Sequence, residues 1–481
     1  MNQPPAFSPF GALSRLNQEQ CEQIHAASLQ ILEEIGVRLY SPQALALLKK
    51  AGADVSAAPL VKMPPRLVEN ALQSVPKSLT LFNRYGEPAL QLEDSNCYFG
   101  PGSDCLNLLD HRTSDRRKPL LEDVRQAVIL ADALPNIDFV MSMLLPSDVD
   151  QTLADIYQAE IMFQYTAKPL VFVSYETRGL AVAVEMAERI MGGAEALRQK
   201  PILTCYINVV SGAVHNQDAL QKLLYLSQKG LPALYVPGSN AGVTSPATMA
   251  GATALDNAGG LVGVVLSQLN NPGAPIIYSA MDSASLDMRT MVSPYAYAER
   301  GWTLSMAKYY RLPCFALAGA SDAKLPDQQA AAEAALSLLA DSLMGGNLIH
   351  DLGYLESGLT FSFAQLVICD QIVDWIRAFL RKADINEETL ALEVVRQVGA
   401  GGQYLGHKHT RRHYREIWYP NLFERGVYSD WQAKGGQSLA ERAAQRADQL
   451  LSEHQPPLPP PDMQRQIQDI RQNAIREFER G

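Results

Sequence analysis

The stretch Gly345 to Phe363, GGNLIHDLGYLESGLTFSF, gathers His350, Asp351, Tyr354, Glu356, Phe361 and Phe363 among several glycines. Two carboxylates, an imidazole and three aromatic rings are a poor filling for a core strand, where every buried polar group needs a partner. They suit a pocket for a small cation, which aromatic faces attract through their quadrupole and carboxylates through their charge. Taken singly, His350 reads as a hydrogen-bonded structural histidine, and Glu356 as either a buried structural carboxylate or a general base. Tyr98 and Phe99, just ahead of the glycine-rich GPGSD that holds Asp104, have the same double reading: site or core. The motif HKHTRRH places His407, His409 and His413 together, the last two at i, i+4. No carboxylate follows at zinc spacing, so no metal site is expected, and the motif reads as a basic patch facing an anion or a neighbouring subunit. A GxSxG elbow, a Walker loop and a GxGxxG after a strand are all missing.

The elements that must position these residues follow from the apolar pattern. From Leu16 to Val37 apolar residues recur at helical spacing; SPQALALLKKAGA reads as a second helix with Ser41 as N-cap and Pro42 at its first position, and PPRLVENALQSVP as a third. Short apolar runs then begin near Ile137, Pro169, Ile202, Pro232, Pro275, Pro313 and Asn347, mostly separated by helical patterns. Seven such repeats, with an eighth strand supplied around Tyr98, predict an α/β fold of the TIM (β/α)8 barrel kind rather than a doubly wound sheet. The expected division is an N-terminal helical and hairpin extension over residues 1–95, the barrel over 96–385, and a C-terminal helical region over 386–481 with a proline-rich break near 456–461. The final charged helix is expected to pack on the surface or on a neighbouring subunit.

In such a barrel the active site lies at the carboxyl ends of the strands. Polar residues recur there: Ser147 and Asp148, Tyr175 and Glu176, Asn208 and Ser211, Ser239 and Asn240, Asp282, Ser321 and Asp322, then His350 through Glu356. Any one of them is as well explained as a turn or N-cap residue; the joint pattern is what points to a site.

Composition narrows the function. Over 481 residues, 47% are hydrophobic and 19% charged, a globular balance, and the formal net charge of −10 leaves no basic footprint for nucleic acid. The first residues lack the basic and apolar regions of a signal peptide, and no run of about 18 apolar residues suggests a membrane span. Six scattered cysteines without a CxxC pair read as small buried hydrophobes in a reducing cytoplasm.

Three stretches are similar to the trimethylamine methyltransferase (MttB) superfamily: YFGPGSDCLNLLDHRTSDRRKPLLEDV, ASDAKLPDQQAAAEAALSLLADSLMGGNLIHDLGYLESGLTFSFAQLVICDQI and HTRRHYREIWYPNLFERGVYSDW. The resemblance runs along nearly the whole chain. It implies a TIM barrel that passes a methyl group from an amine to the Co(I) of a corrinoid carried by a partner protein, with no cofactor bound by this chain. The founding trimethylamine enzymes carry pyrrolysine in the block matching Gly345 to Gly358, where this sequence has only standard residues. Members without it resemble glycine betaine methyltransferases and relatives acting on carnitine or proline betaine. A quaternary nitrogen departs as a neutral amine without an activating adduct, which fits that split. On this reading Tyr98, Tyr354, Phe361 and Phe363 form the cage, His350 with Asn208 or Ser211 holds a betaine carboxylate, and Asp104, Asp322 and Glu356 tune the field. The expected partners are a corrinoid protein, a quaternary amine and further copies of the chain, with neither nucleic acid nor membrane. The rival readings are a quaternary-ammonium binding protein without turnover and an unrelated barrel lyase or hydrolase using Glu356 or Asp322 as base.

Overall fold

The computed structural model describes residues 13–283 and 285–478; the first twelve residues of the N-terminal extension lie outside that range. The opening helices start where the caps dictate. Asn17 and Gln20 form a capping box for Gln18–Gln30, and the Ser41 hydroxyl accepts from the Ala44 N–H to begin Pro42–Ala51. Gly52, in the left-handed region, ends the latter. With Pro65–Ser74 these helices lie against the 22-residue helix Met249–Asn270. That helix is long and apolar enough to cross a membrane by length and composition, which the sequence reading did not anticipate. It is mostly buried inside the molecule instead, and is a core helix. Gly263 permits the close approach, since a Cβ there would sit 2.4 Å from the Tyr235 ring.

The main sheet has seven parallel strands: β1 (Tyr98–Pro101), β2 (Leu170–Val173), β3 (Leu203–Val209), β4 (Ala233–Pro237), β5 (Ile276–Ser279), β6 (Cys314–Leu317) and β7 (Leu348–Leu352). Their spatial order is β1-β7-β6-β5-β4-β3-β2. Six of the seven apolar runs are therefore strands, and Tyr98 opens another, as expected. The run near Ile137 is not a regular strand. The Asp138 side chain accepts the Phe99 N–H at 2.8 Å and an Arg377 N–H at 2.6 Å, so a carboxylate takes a bond that a ladder carbonyl would have taken. Residues 138–140 nevertheless touch both end strands. The Asp138 N–H donates to the Phe99 carbonyl, the Val140 N–H to that of Pro169, and the Val171 N–H to that of Val140.

Alternate strand residues point inward and pack as one apolar cluster, including Phe139, Val171, Leu234, Val236, Ile277, Phe315 and Leu348. Leu81, Leu90 and Leu92 of the hairpin Leu79–Phe82/Pro88–Leu92 join it and stopper the amino ends of the strands. At the other end of the chain, Leu439–Glu453 packs on Phe363–Phe379, and after a proline-rich break Pro461–Phe478 packs on Ala154–Tyr165 and Thr177–Met191. The final helix thus buries Ile467, Ile470 and Ala474 against its own chain. All six cysteines are buried and unpaired.

Candidate active site

The stoppered amino end leaves the carboxyl ends of the strands as the place for a site, and there a polar group breaks the apolar interior. His350 and Asp351 stand at a register break in β7. Asp351 has φ +84°, a strained conformation for a residue with a Cβ, of the kind that clusters where function demands it. His350 stacks on Phe315 with ring centroids 3.8 Å apart, and Tyr206 of β3 lies 6.4 Å from it. Gly102, just past β1, supplies the room: a Cβ there would fall 2.1 Å from Asp351 Oδ1 and 2.4 Å from Tyr354 Cζ.

The proton inventory follows from these contacts. His350 Nδ1 meets the Ala316 carbonyl at 2.8 Å; a carbonyl only accepts, so Nδ1 carries the hydrogen and Nε2 is a lone pair. Burial pushes the imidazole down to about 3, against the pull of that carbonyl bond. Burial alone pushes the Asp351 carboxyl up to about 8. Its polar contact is His350 Nε2, 3.4 Å from Oδ1, which a protonated carboxyl can approach as donor. At neutral pH the pair is a neutral imidazole beside a carboxylic acid. The Tyr206, Tyr295 and Tyr354 hydroxyls are likewise pushed up by burial first, and then by Asp351 among their neighbours, so all three stay neutral.

The residues singled out from sequence fall into three groups. Tyr354 belongs to the cluster; its hydroxyl donates to the Ser103 carbonyl at 2.5 Å. Asp104 adjoins it, accepting from the Ser142 hydroxyl at 2.7 Å and the Gln158 amide at 3.0 Å, with burial raising its carboxyl. Asn208 follows Tyr206 two residues on, hence on the same strand face, and is exposed at the mouth.

A second group supports the site from behind. Phe361 meets Tyr354 edge-on at 6.2 Å and Phe363 at 5.9 Å, and both phenylalanines belong to the core shared with the helices rather than to the barrel interior. Asp322 takes the Tyr295 and Ala296 N–H groups and the Ser357 hydroxyl, tying together the loops that follow β5, β6 and β7. Arg300, in a buried ion pair with Asp341, braces the same Tyr295 loop from beneath.

The third group lies elsewhere. Tyr98 is at the stoppered end, its hydroxyl accepting the Gln91 N–H of the hairpin at 3.0 Å. The Ser211 hydroxyl accepts the Ala213 N–H within a tight turn. Glu356 is committed to Arg116 at 2.8 Å and Thr360 at 2.5 Å; these bonds outweigh burial and hold its carboxyl low. His350 was expected to hold a betaine carboxylate, as a cation or as a donor; burial pushes its imidazole down to about 3 and its Nδ1 hydrogen goes to the Ala316 carbonyl, which leaves no N–H for that role. Tyr206 and Tyr295 were not singled out. Alternation in TCYINV puts Thr204, Tyr206 and Asn208 on one face and so carried a signal for Tyr206; Tyr295 sits in a loop and had none.

Away from the mouth, Glu388, His409 and His413 bring possible ligand atoms within 4.8 Å of one another at the surface. Arg412 Nη1 shares the same Glu388 oxygen at 2.5 Å, so a guanidinium already answers that charge. His215, also outside the site, is buried beneath Tyr235 with its Nδ1 2.6 Å from the hydroxyl, and burial pushes it down to about 4. The sign of the linkage is definite: below the ordinary histidine value the unfolded chain takes a proton that the folded ring refuses, so this site loses stability as pH falls. Relative to His215→Gln, the wild type should lose about 1.4 kcal/mol per pH unit between pH 6.5 and 4.5 in urea titrations. A constant difference would mean that the ring is protonated in place.

Comparison with known proteins gives the chain a family. The family model for trimethylamine methyltransferase (MTTB) matches residues 2–477. The trimethylamine methyltransferase MttB of Desulfitobacterium hafniense is 31% identical over 94% of this chain and 92% of its own length. The glycine betaine methyltransferase of another strain of D. hafniense is 29% identical over 94% of this chain and 95% of its own. The solved monomethylamine methyltransferase (MtmB) of Methanosarcina barkeri aligns with a TM-score of 0.49 at 11% identity, over 93% of this chain and 90% of that one. With the match running through every strand of the sheet and through the Gly345–Phe363 stretch, this chain is a methyltransferase and belongs to the trimethylamine methyltransferase (MttB) family.

Proposed function

We propose that the chain takes one methyl group from a trimethylammonium compound, glycine betaine in the first place, and delivers it to the Co(I) of a corrinoid on a separate protein, releasing dimethylglycine. The observation that carries this reading is Asp351: a buried carboxyl whose proton affinity is set by burial alone, beside Tyr206, Tyr295 and Tyr354. A permanent cation has no N–H to donate, so it is held by ring faces, each desolvated contact contributing about 2 kcal/mol, and by a carboxylate that ionises on its arrival. The corrinoid supplies the nucleophile; this chain binds the ammonium head, aims one methyl at the mouth and keeps water out. Little acid–base chemistry is needed, because the departing amine is neutral. The cage must not be too tight, since the charge fades as the C–N bond breaks. Asn208, exposed at the mouth, is placed to meet the carboxylate end.

In this reading the segment 138–141 stands in the eighth place of a closed (β/α)8 barrel, supported by its bonds to Phe99, Pro169 and Val171. The enzyme works in the cytoplasm, where its thiols stay reduced. The test is to mix the protein with cob(I)alamin and, separately, glycine betaine, carnitine, proline betaine and trimethylamine. Cobalamin methylation with a betaine, and dimethylglycine formed from glycine betaine, is the expected result. Methylation by trimethylamine alone would overturn the substrate class.

A further inference from the structure

Residues 280–301 join β5 to the helix Trp302–Tyr310. That is well past the length of about 12 to 15 residues at which a connection without secondary structure becomes uncommon outside lids and binding loops. Both ends are fixed. The Ser283 hydroxyl donates to the buried Asp256, which also takes the Ser239 hydroxyl at 2.5 Å. At the far end Asp282 accepts the Gly301 and Thr303 N–H groups at 2.6 and 2.7 Å, and the Arg300 guanidinium, paired with Asp341, lies 4.8 Å from the centre of the Tyr297 ring. Between these anchors, residues 285–296 hold to the molecule lightly. None of them is buried, and Met288 and Met291 at the tip are 73% and 67% exposed. The tip bonds to itself: Asp287 and Val292 form a bridge, and the Met291 N–H donates back to the Asp287 carbonyl at 2.7 Å.

One side chain of this stretch reaches the site. The Tyr295 ring lies on the bare backbone of Gly358, where a Cβ would fall 2.6 Å from its Cε2. Few polar bonds keep it there. The Tyr295 and Ala296 N–H groups donate to Asp322 at 2.8 and 3.2 Å, and the Ser293 hydroxyl donates to Asn240 at 2.8 Å. Asp322 itself is well held: its own N–H donates to Glu333 at 2.9 Å, and the Ser357 hydroxyl donates to its carboxylate at 2.8 Å. We propose that residues 285–296 are a flap over the site, with Asp322 as the positioning residue that latches Tyr295 when the flap is closed. The inference rests on the reading of this site as an ammonium pocket. A permanent cation has to enter past Tyr295 and then be shielded from water, and a loop that swings away and returns to one fixed carboxylate meets both needs. A segment with few buried contacts opens while the sheet beneath it stays shut.

Hydrogen exchange of the full chain, read amide by amide, tests this. The amides to follow are those of Tyr295 and Ala296, because both are hydrogen-bonded and would stay protected in a rigid loop. In the free wild type each should exchange at least about a hundredfold faster than the amides of β6. Asp322→Asn, which removes one acceptor oxygen, should speed them about tenfold further and leave the strand rates unchanged. Saturating glycine betaine should slow them at least about tenfold in the wild type. Tyr295 and Ala296 amides as slow as those of β6 in the free protein, or unmoved by Asp322→Asn, would overturn the flap. So would glycine betaine that gives a heat of binding in calorimetry and slows neither amide. If none of glycine betaine, carnitine, proline betaine and trimethylamine binds, the ammonium reading falls, and the two measurements on the free protein still decide the flap.

Discussion

Binding of glycine betaine to the wild type should strengthen about tenfold per pH unit from pH 6 to 8 and then level off, while Asp351→Asn should bind more weakly with no such rise. The reason is a proton. In the empty protein burial holds the Asp351 carboxyl at about 8, so the group is uncharged at neutral pH. A trimethylammonium head favours the ionised form, and below pH 8 that form is reached only by releasing a proton, whose cost grows by about 1.4 kcal/mol per unit. Calorimetry in buffers of different ionisation heat reads the release directly: close to one proton at pH 6.5 for the wild type and none for Asp351→Asn. A flat wild-type profile would take Asp351 out of cation recognition. The same group makes a prediction without ligand. Its folded value lies above its unfolded one, so the folded state holds the proton that the unfolded chain gives up, and stability declines as pH climbs from about 4 to 8. Asp351→Asn should therefore melt above the wild type at pH 8, with the gap narrowing toward pH 4.

The path from sequence to this site shows which physical signals survive in a string of letters. The strands beginning near Pro169, Ile202, Pro232, Pro275, Pro313 and Asn347 were legible because each is a short apolar run opened by a turn residue, and burial on both faces leaves no other composition open. The run near Ile137 has the same composition and is irregular, because Asp138 spends its carboxylate on a neighbouring strand and on Arg377, a tertiary event with no local trace. Gly345 to Phe363 was legible as chemistry. Its division of labour was not. Phe361 and Phe363 differ from Tyr354 in nothing that sequence records about direction, yet Phe361 pairs with Tyr354 across a short ladder and backs its ring, while Phe363 opens the helix capped by Ser362 and packs behind Phe361. Glu356 and Asp322 look like free carboxylates until Arg116 and the Tyr295 backbone are brought to them. Tyr98 and His350 were both read as mouth residues, but parallel register pairs Tyr98 with Leu348 and so places it two residues lower, at the plugged end.

Gly102 offers the sharpest test of whether the cluster is the site, because it is defined by space rather than by a functional group. Its backbone does not adopt the left-handed conformation, so a side chain there meets no intrinsic strain. What it meets is the site: the first added carbon would lie 2.1 Å from Asp351 Oδ1 and 2.6 Å from the Tyr354 hydroxyl, which is itself fixed on Ser103. Neither partner can yield cheaply, since Asp351 is backed by His350 and Tyr354 by Phe361. Gly102→Ala should displace both groups by a good fraction of an ångström and lower methyl transfer at least tenfold; Gly102→Val should lower it by about a hundredfold or more, a misplacement of 1 Å being enough for that. Gly238 provides the control. It stands at the same end of the sheet, just past β4, and a Cβ there has nothing within 4 Å, so Gly238→Ala should keep its rate. If Gly102→Val folds, melts near the wild type and still transfers methyl groups from glycine betaine at the wild-type rate, the reacting head does not sit between Asp351 and Tyr354, and the chemistry must be sought elsewhere along the mouth.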